Sequence, residues 1–188
     1  GTYAITGGLG GLGLRAATWL LEAGSRRVVL ASRNGLVPRD HPTAGKRFDS
    51  VCVAASIVKC DVSSPKDTHS LISGAGSTLS LTGVLHAAGV GDRGLLVGLA
   101  ALRVEWMFAS KAIAARHIHS ALAAMLLEVQ LLFSSVGAGL GNVGQANYAA
   151  GNASLDTLAL SRRAHGTPVC AVQWPLVGGA GMGAEAAR

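Results

Sequence analysis

Residues Leu131–Leu160 read LLFSSVGAGLGNVGQANYAAGNASLDTLAL. Leu131, Leu132 and Phe133 form a short apolar run, the signal of a buried strand. The strand is expected to end at Ser134–Ser135. The glycines that follow (Gly137, Gly139, Gly141 and Gly144) read as a loop whose backbone can approach a ligand closely. A helix is expected from about Gln145. Tyr148 and Asn152 lie one turn apart in it, so their side chains share a face. A serine at a strand end, a tyrosine opening a helix and an amide beside it make a candidate polar site.

The N-terminal stretch supplies a second site. Thr2–Thr6 (TYAIT) reads as a strand, and Gly8-Leu-Gly10-Gly-Leu-Gly13 fits G-x-G-x-x-G directly after it. Leu14–Ala23 reads as a helix with Ala17, Leu20 and Leu21 inward and Gly24 as its stop. Arg27–Ala31 is a second strand. In this context the glycines bring backbone close to a pyrophosphate, and the helix N-terminus points free N–H groups at it. An acid about twenty residues after the last glycine would bond the ribose 2′-hydroxyl of NAD. Position 33 is Arg33 instead, which pairs with a phosphate and favours NADPH.

The rest of the chain repeats the alternation. Residues 34–50 read mostly as loop, and Val51–Val62 ends in a third strand, IVKCDV. Ser64–Ser73 is a short helix with Pro65 in its first turn. Gly83–Ala87 is a fourth strand. Leu102–Leu127 reads as one long helix, with Lys111, Ala115, Ile118, Leu122 and Met125 on one stripe. A buried-face lysine there must snorkel or meet a partner. A helix to about Arg163 and a sixth strand, Pro168–Trp174, complete a Rossmann-type α/β fold: a doubly wound parallel sheet with helices on both faces. No linker divides residues 1–188, so a single domain is expected.

Composition bounds the function. The net charge is +6, but the basic residues are scattered without interleaved aromatics, which argues against a nucleic-acid partner and for anionic small molecules or an acidic protein. No apolar run is long enough to span a membrane. No signal peptide is visible at the abrupt start, so a fragment of a longer polypeptide and a cytoplasmic location are expected. Cys52, Cys60 and Cys170 lack metal spacing and read as buried reduced thiols. His117 and His119 point apart on a helix and read as surface or partly buried, and His86 reads as a packed strand residue, so no metal is expected.

Ser135 and Tyr148 are 13 positions apart, Tyr148 and Asn152 are 4 apart, and Lys111 lies 24 before Ser135. With FSS and GQANYAAGN, these spacings resemble the ketoreductase domains of modular polyketide synthases, within the short-chain dehydrogenase/reductase superfamily. The superfamily's lysine four after the tyrosine is here Asn152, an exchange that marks the ketoreductases. The resemblance implies NADPH-dependent reduction of a 3-oxoacyl thioester to the 3-hydroxyacyl thioester in polyketide biosynthesis. Tyr148 would be the general acid, its pKa lowered by Lys111, which would also hold the nicotinamide ribose. Ser135 would bond the substrate carbonyl, and Asn152 would hold a relay water. Thr6, Gly7, Gly8, Gly10, Gly11, Leu12, Gly13, Ser32, Arg33, Asp61, Val62, Ala87, Ala88 and Gly89 would bind the cofactor, with Asp61-Val62 at the adenine and Gly89 at the nicotinamide ribose. Implied partners are an acyl carrier protein with phosphopantetheine-bound substrate and other synthase domains in the same polypeptide. The family's lid helix and last strand would lie beyond the chain.

Taken singly, these residues also have plainer roles. Tyr148 could be a half-buried tyrosine, Ser135 a strand end, and Asn152 a partner to its own helix turn. A fatty-acid-synthase or free-standing reductase and a catalytically silent nucleotide-binding scaffold remain alternatives. Gly91-Asp92-Arg93 stands where one stereochemical type carries Leu-Asp-Asp, and Leu140 where the other carries tryptophan.

Overall fold

A computed structural model describes residues 1–37, 48–49, 51–77 and 80–177. Six strands form one sheet: β1 (Thr2–Thr6), β2 (Arg27–Ser32), β3 (Ala55–Lys59), β4 (Leu81–His86), β5 (Val129–Ser135) and β6 (Val169–Trp174). Their order is β3-β2-β1-β4-β5-β6, and every adjacent pair is parallel. The order reverses beside β1, between β2 and β4, so a crevice opens at the carboxyl ends there.

Alternation along the strands sends neighbouring residues to opposite faces. Ile5, Leu30, Leu85 and Phe133 meet α1 (Gly11–Glu22) through Leu14, Ala17 and Leu20. Ala4, Val29 and Val84 meet α2 (Pro65–Gly76) through Leu71 and Ile72. The chain then forms α3 (Ala101–Phe108), a π turn (Ala109–Ile113) and α4 (Ala114–Ala121), with Ile118 in that same core. A short α5 (Gly137–Leu140) leads to α6 (Ala146–Arg163), whose Leu155 and Ala159 cover Leu132 and Val169.

Local signals explain several boundaries. Ser64 accepts a hydrogen bond from the Asp67 N–H at 3.2 Å and Pro65 opens the helix, so α2 is capped by its own sequence. Gly24, at φ +90, follows the end of α1 as expected.

Other boundaries differ from the sequence reading. β3 ends at Lys59, before Cys60-Asp61-Val62, because its register follows β2 up to Ser32. The glycine stretch after β5 is not all loop, since α5 forms within it. The expected continuous helix from Leu102 to Leu127 is broken by the π turn, and its last helical residue is Ala121. The stripe survives the break: Lys111, Ala115, Ile118 and Leu122 are all buried. Phe48, Asp49 and Val51 are helical rather than loop or strand, and Val51 is buried against the α1 face. The remainder of 38–50 and the glycine-rich tail from 178 onward lie outside the described residues. Only Cys60 of the three thiols is buried; Cys52 and Cys170 are exposed, the latter because β6 is an edge strand. Burial, with Asp67 and Asp61 nearby, pushes the Cys60 thiol up to about 11.

Candidate active site

An open cleft of about 1580 Å³ runs along the carboxyl ends of the strands. Its floor at one end is the turn after β1. Gly7 adopts φ +67, and a Cβ there would sit 2.6 Å from the Ala88 backbone. A Cβ on Gly13 would lie 2.4 Å from the Gly7 carbonyl oxygen. Only glycine fits this cradle. Gly10 precedes α1 without capping it through a side chain, and the first turn holds no acid, so its N–H groups remain available to an anion. Both observations fit a pyrophosphate.

Most of the expected cofactor residues line this cleft: Gly7, Gly10, Gly11, Leu12, Gly13, Ser32, Arg33, Asp61, Val62, Ala87, Ala88 and Gly89. Arg33 is exposed at the end of β2 and close enough to Asp61 to help hold that carboxyl below its usual range. The larger cause is the Ser63 hydroxyl, which donates to Asp61 Oδ1 at 2.7 Å. Thr6 and Gly8 do not line the cleft. The Thr6 hydroxyl shares a 2.7 Å hydrogen bond with His86 Nδ1, and Gly8 packs between β1 and β2, where a Cβ would meet Ile5 O at 2.7 Å and Leu30 Cα at 2.9 Å. Their contribution is to the turn, beneath the ligand surface.

At the other end the cleft reaches Lys111, Ser135 and Tyr148. Lys111 is 3% exposed and its ammonium donates to the Phe133 carbonyl at 2.9 Å. The stem crosses Gly89 so closely that a Cβ there would lie 2.7 Å from Lys111 Cε. Burial drives the Lys111 pKa down to about 8, against a smaller opposing pull from Asp156. Ser135 Oγ accepts from the Gly137 N–H at 3.2 Å, which leaves the hydroxyl proton free to donate. Tyr148 opens α6 half-buried across from it.

Asn152 lies behind this surface and does not line the cleft. It is fully buried, and its amide donates to the Tyr148 carbonyl at 2.9 Å, the local helix bond that the sequence left open as an alternative. Its Oδ1 has no partner among the described residues. A buried acceptor of this kind calls for a water or a ligand-linked donor. One position earlier, a Cβ on Gly151 would lie 3.2 Å from Met107 Cγ and 3.7 Å from Lys111 Cβ, so glycine lets α6 seat against the Lys111 turn.

His86 is fully buried at the end of β4, as its strand position suggested. Desolvation, then the Lys111 charge, lowers its pKa to about 3, so the ring is neutral. Its Nε2 faces the Ser110–Lys111 backbone without a well-formed hydrogen bond. The described residues contain no cluster able to hold a metal ion. No described helix is long and apolar enough to cross a membrane.

Two features escaped the sequence reading. The acceptor for Lys111 is a main-chain carbonyl, to which no side-chain pattern points. Asn147, directly before Tyr148, is 5% exposed and bonds Asp92 across the cleft wall at 2.6 Å. A polar residue beside the tyrosine was its only signal.

Comparison with known proteins shows the family and the fold. The family model described as "KR domain" matches residues 1–179. The chain is 42% identical over 188 residues to the polyketide synthase GfsB of Streptomyces halstedii, covering 98% of this chain and 3% of that one. It is 40% identical to a 6-methylsalicylic acid synthase of Penicillium terrestre, covering 98% of this chain and 11% of the relative. A solved structure titled "Structure of A-type Ketoreductases from Modular Polyketide Synthase" superposes with a TM-score of 0.89 at 35% identity, over 98% of this chain and 39% of that one. The sheet order, the glycine cradle and the sequence match together place this chain in the KR domain family, the ketoreductases of polyketide synthases.

Proposed function

We propose that this chain reduces a 3-oxoacyl thioester, presented on the phosphopantetheine arm of an acyl carrier protein, to the 3-hydroxyacyl thioester with NADPH. Bound in the cleft, NADPH supplies the hydride. The chain's residues do the rest. The Gly7–Gly13 turn and the start of α1 hold the pyrophosphate, and Arg33 pairs with the 2′-phosphate. Lys111, its pKa lowered by burial but still mostly charged at neutral pH, reaches the cleft and bonds the ribose beside the nicotinamide. The free proton of Ser135 donates to the substrate carbonyl, where negative charge develops. Tyr148 delivers its phenolic proton to that oxygen. Asn152 holds, through its partnerless Oδ1, the water that joins the relay to Lys111.

The observation that carries this reading is the convergence of Lys111, Ser135 and Tyr148 at one end of a cleft whose other end is a glycine cradle. The relatives are much longer than this chain, so the carrier protein and neighbouring synthase domains are partners of the same proposal. The test is NADPH oxidation with a 3-oxoacyl thioester. Tyr148→Phe should lower kcat by about 10²- to 10⁴-fold, the usual range for a lost general acid, while NADPH binding is retained. Tight NADPH binding without wild-type turnover would instead favour a silent nucleotide-binding scaffold.

A further inference from the structure

Asp92 lies in the segment after β4, opposite the start of α6, and its carboxylate is fully engaged. Oδ1 accepts from the Arg93 N–H at 2.9 Å and from Arg103 Nη2. Oδ2 accepts from Arg103 Nε at 3.2 Å and from Asn147 Nδ2 at 2.6 Å. Arg103 Nη2 also donates to the Arg93 carbonyl at 2.6 Å. Asn147 turns its own Oδ1 to the Tyr148 N–H at 2.9 Å. Beside this cluster the Gly94 N–H donates to the Gly144 carbonyl at 2.8 Å.

The connection matters because of where each end leads. Arg103 is on α3, which continues through the π turn that carries Lys111. Asn147 is in the first turn of α6, immediately before Tyr148. The two helical runs pack closely at Gly151 and Met107, away from their ends beside Asp92. Asp92 joins the ends. Its bidentate pair with Arg103 has fixed planar geometry, and Asn147 passes that geometry to a backbone N–H of α6 that has no partner within the helix. The negative charge also sits at a helix N-terminus, where the dipole favours it. Arg103 and Asn147 both hold the Asp92 carboxyl below its usual range, so the clamp stays charged at neutral pH.

We propose that Asp92, Arg103 and Asn147 form a positioning clamp that locks the helix bearing Tyr148 to the helix bearing Lys111 and so sets the placement of the proton donor. The catalytic half of this inference rests on the ketoreductase reading above. None of the three residues exchanges a proton with substrate; they act through the Tyr148 backbone.

The test uses Asp92→Asn and the swapped pair Asp92→Asn with Asn147→Asp. The single change sets two amide groups face to face at the 92–147 contact. The swap restores donor to acceptor there, and the new carboxylate can still accept from the Tyr148 N–H. Asp92→Asn should lower kcat about tenfold or more, as expected for a misplaced reacting group, with KM for NADPH nearly unchanged. The swap should recover most of the loss. Amide hydrogen exchange, which needs no turnover, should show faster exchange at Tyr148 in Asp92→Asn, restored in the swap, with β1 and β2 amides unaltered. Arg103→Gln should move both readouts in the same direction and serves if Asp92→Asn does not fold. Wild-type kcat and Tyr148 protection in Asp92→Asn would overturn the clamp, as would a swap no better than the single change. A wild-type chain without turnover would remove the ketoreductase reading, and the exchange arm alone would then decide the clamp.

Discussion

The two ends of the cleft are built in opposite ways. The nucleotide end is made of main chain from nearly consecutive residues, Gly7 to Gly13, and works because side chains are absent. The proposed reducing end is made of side chains from Lys111, Ser135 and Tyr148, gathered from a π turn, a strand end and a helix start. The first tolerates no addition and the second no removal. The glycine end therefore fails by strain and lost binding, whereas the side-chain end fails in turnover while the fold stands.

Lys111→Met tests that contrast most strongly. It should lower kcat at least about 100-fold, in the range of lost acid–base machinery, with a thermal midpoint equal to or above wild type. The gain comes from removing a charge whose burial is costly, partly offset by leaving the Phe133 carbonyl unpaired. A large drop in midpoint, seen by calorimetry, would make Lys111 structural. Gly7→Ala acts at the other end. It forces a non-glycine residue to φ +67 and against the Ala88 backbone, and should weaken NADPH binding at least about tenfold by titration calorimetry. Unchanged affinity would show that the cradle is softer than its contacts imply.

Arg33→Ser is milder, because the guanidinium is exposed and screened. It should reduce the preference for NADPH over NADH by about tenfold, one charge-assisted pair, in parallel kcat/KM measurements. An unaltered preference would remove Arg33 from the cofactor choice. The last effect is absent at neutral pH and concerns stability alone. His86 has its folded pKa depressed from 6.5 to about 3, so the unfolded chain binds a proton that the folded chain refuses. Stability from this group is complete above about pH 6.5 and falls as pH drops toward 3, with a slope of at most about 1.4 kcal/mol per pH unit. His86→Gln should flatten that slope in pH-dependent urea melts; an unchanged slope would show that other groups cause the acid loss.

The contrast also explains what was readable in advance. The glycine turn, α1 and β2 were legible because each signal is local: a strand, glycines at fixed offsets, an apolar helical face, then Gly24. Ser135, Tyr148, Asn152 and Lys111 were picked out by the family resemblance, with the sequence spacings supplying their positions; of these, Lys111, Ser135 and Tyr148 line the cleft and Asn152 lies behind it. The break at Ala109–Ile113 was not legible, since ASKAI has the apolar stripe of an ordinary helix. The end of β3 was not legible because it is set by where β2 stops offering partners, at Ser32 opposite Lys59, and not by any break within IVKCDV.

By itself, the sequence determined the alternation of strands and helices, the parallel sheet, the nucleotide cradle and the identities of the polar residues at the reducing end. The alternation, the sheet and the cradle follow from periodicity and glycine geometry; the polar residues were singled out by the resemblance their spacing carries. Only the tertiary structure decided that Asn152 stands behind the cleft with an unpaired oxygen, that Thr6 bonds His86 beneath the cofactor turn, and that Asp92 ties α3 to α6. The Thr6 and Asp92 contacts join residues 11 to 80 positions apart. The pairing of such distant groups is set by how helices seat on a twisted sheet, which no short stretch of sequence encodes.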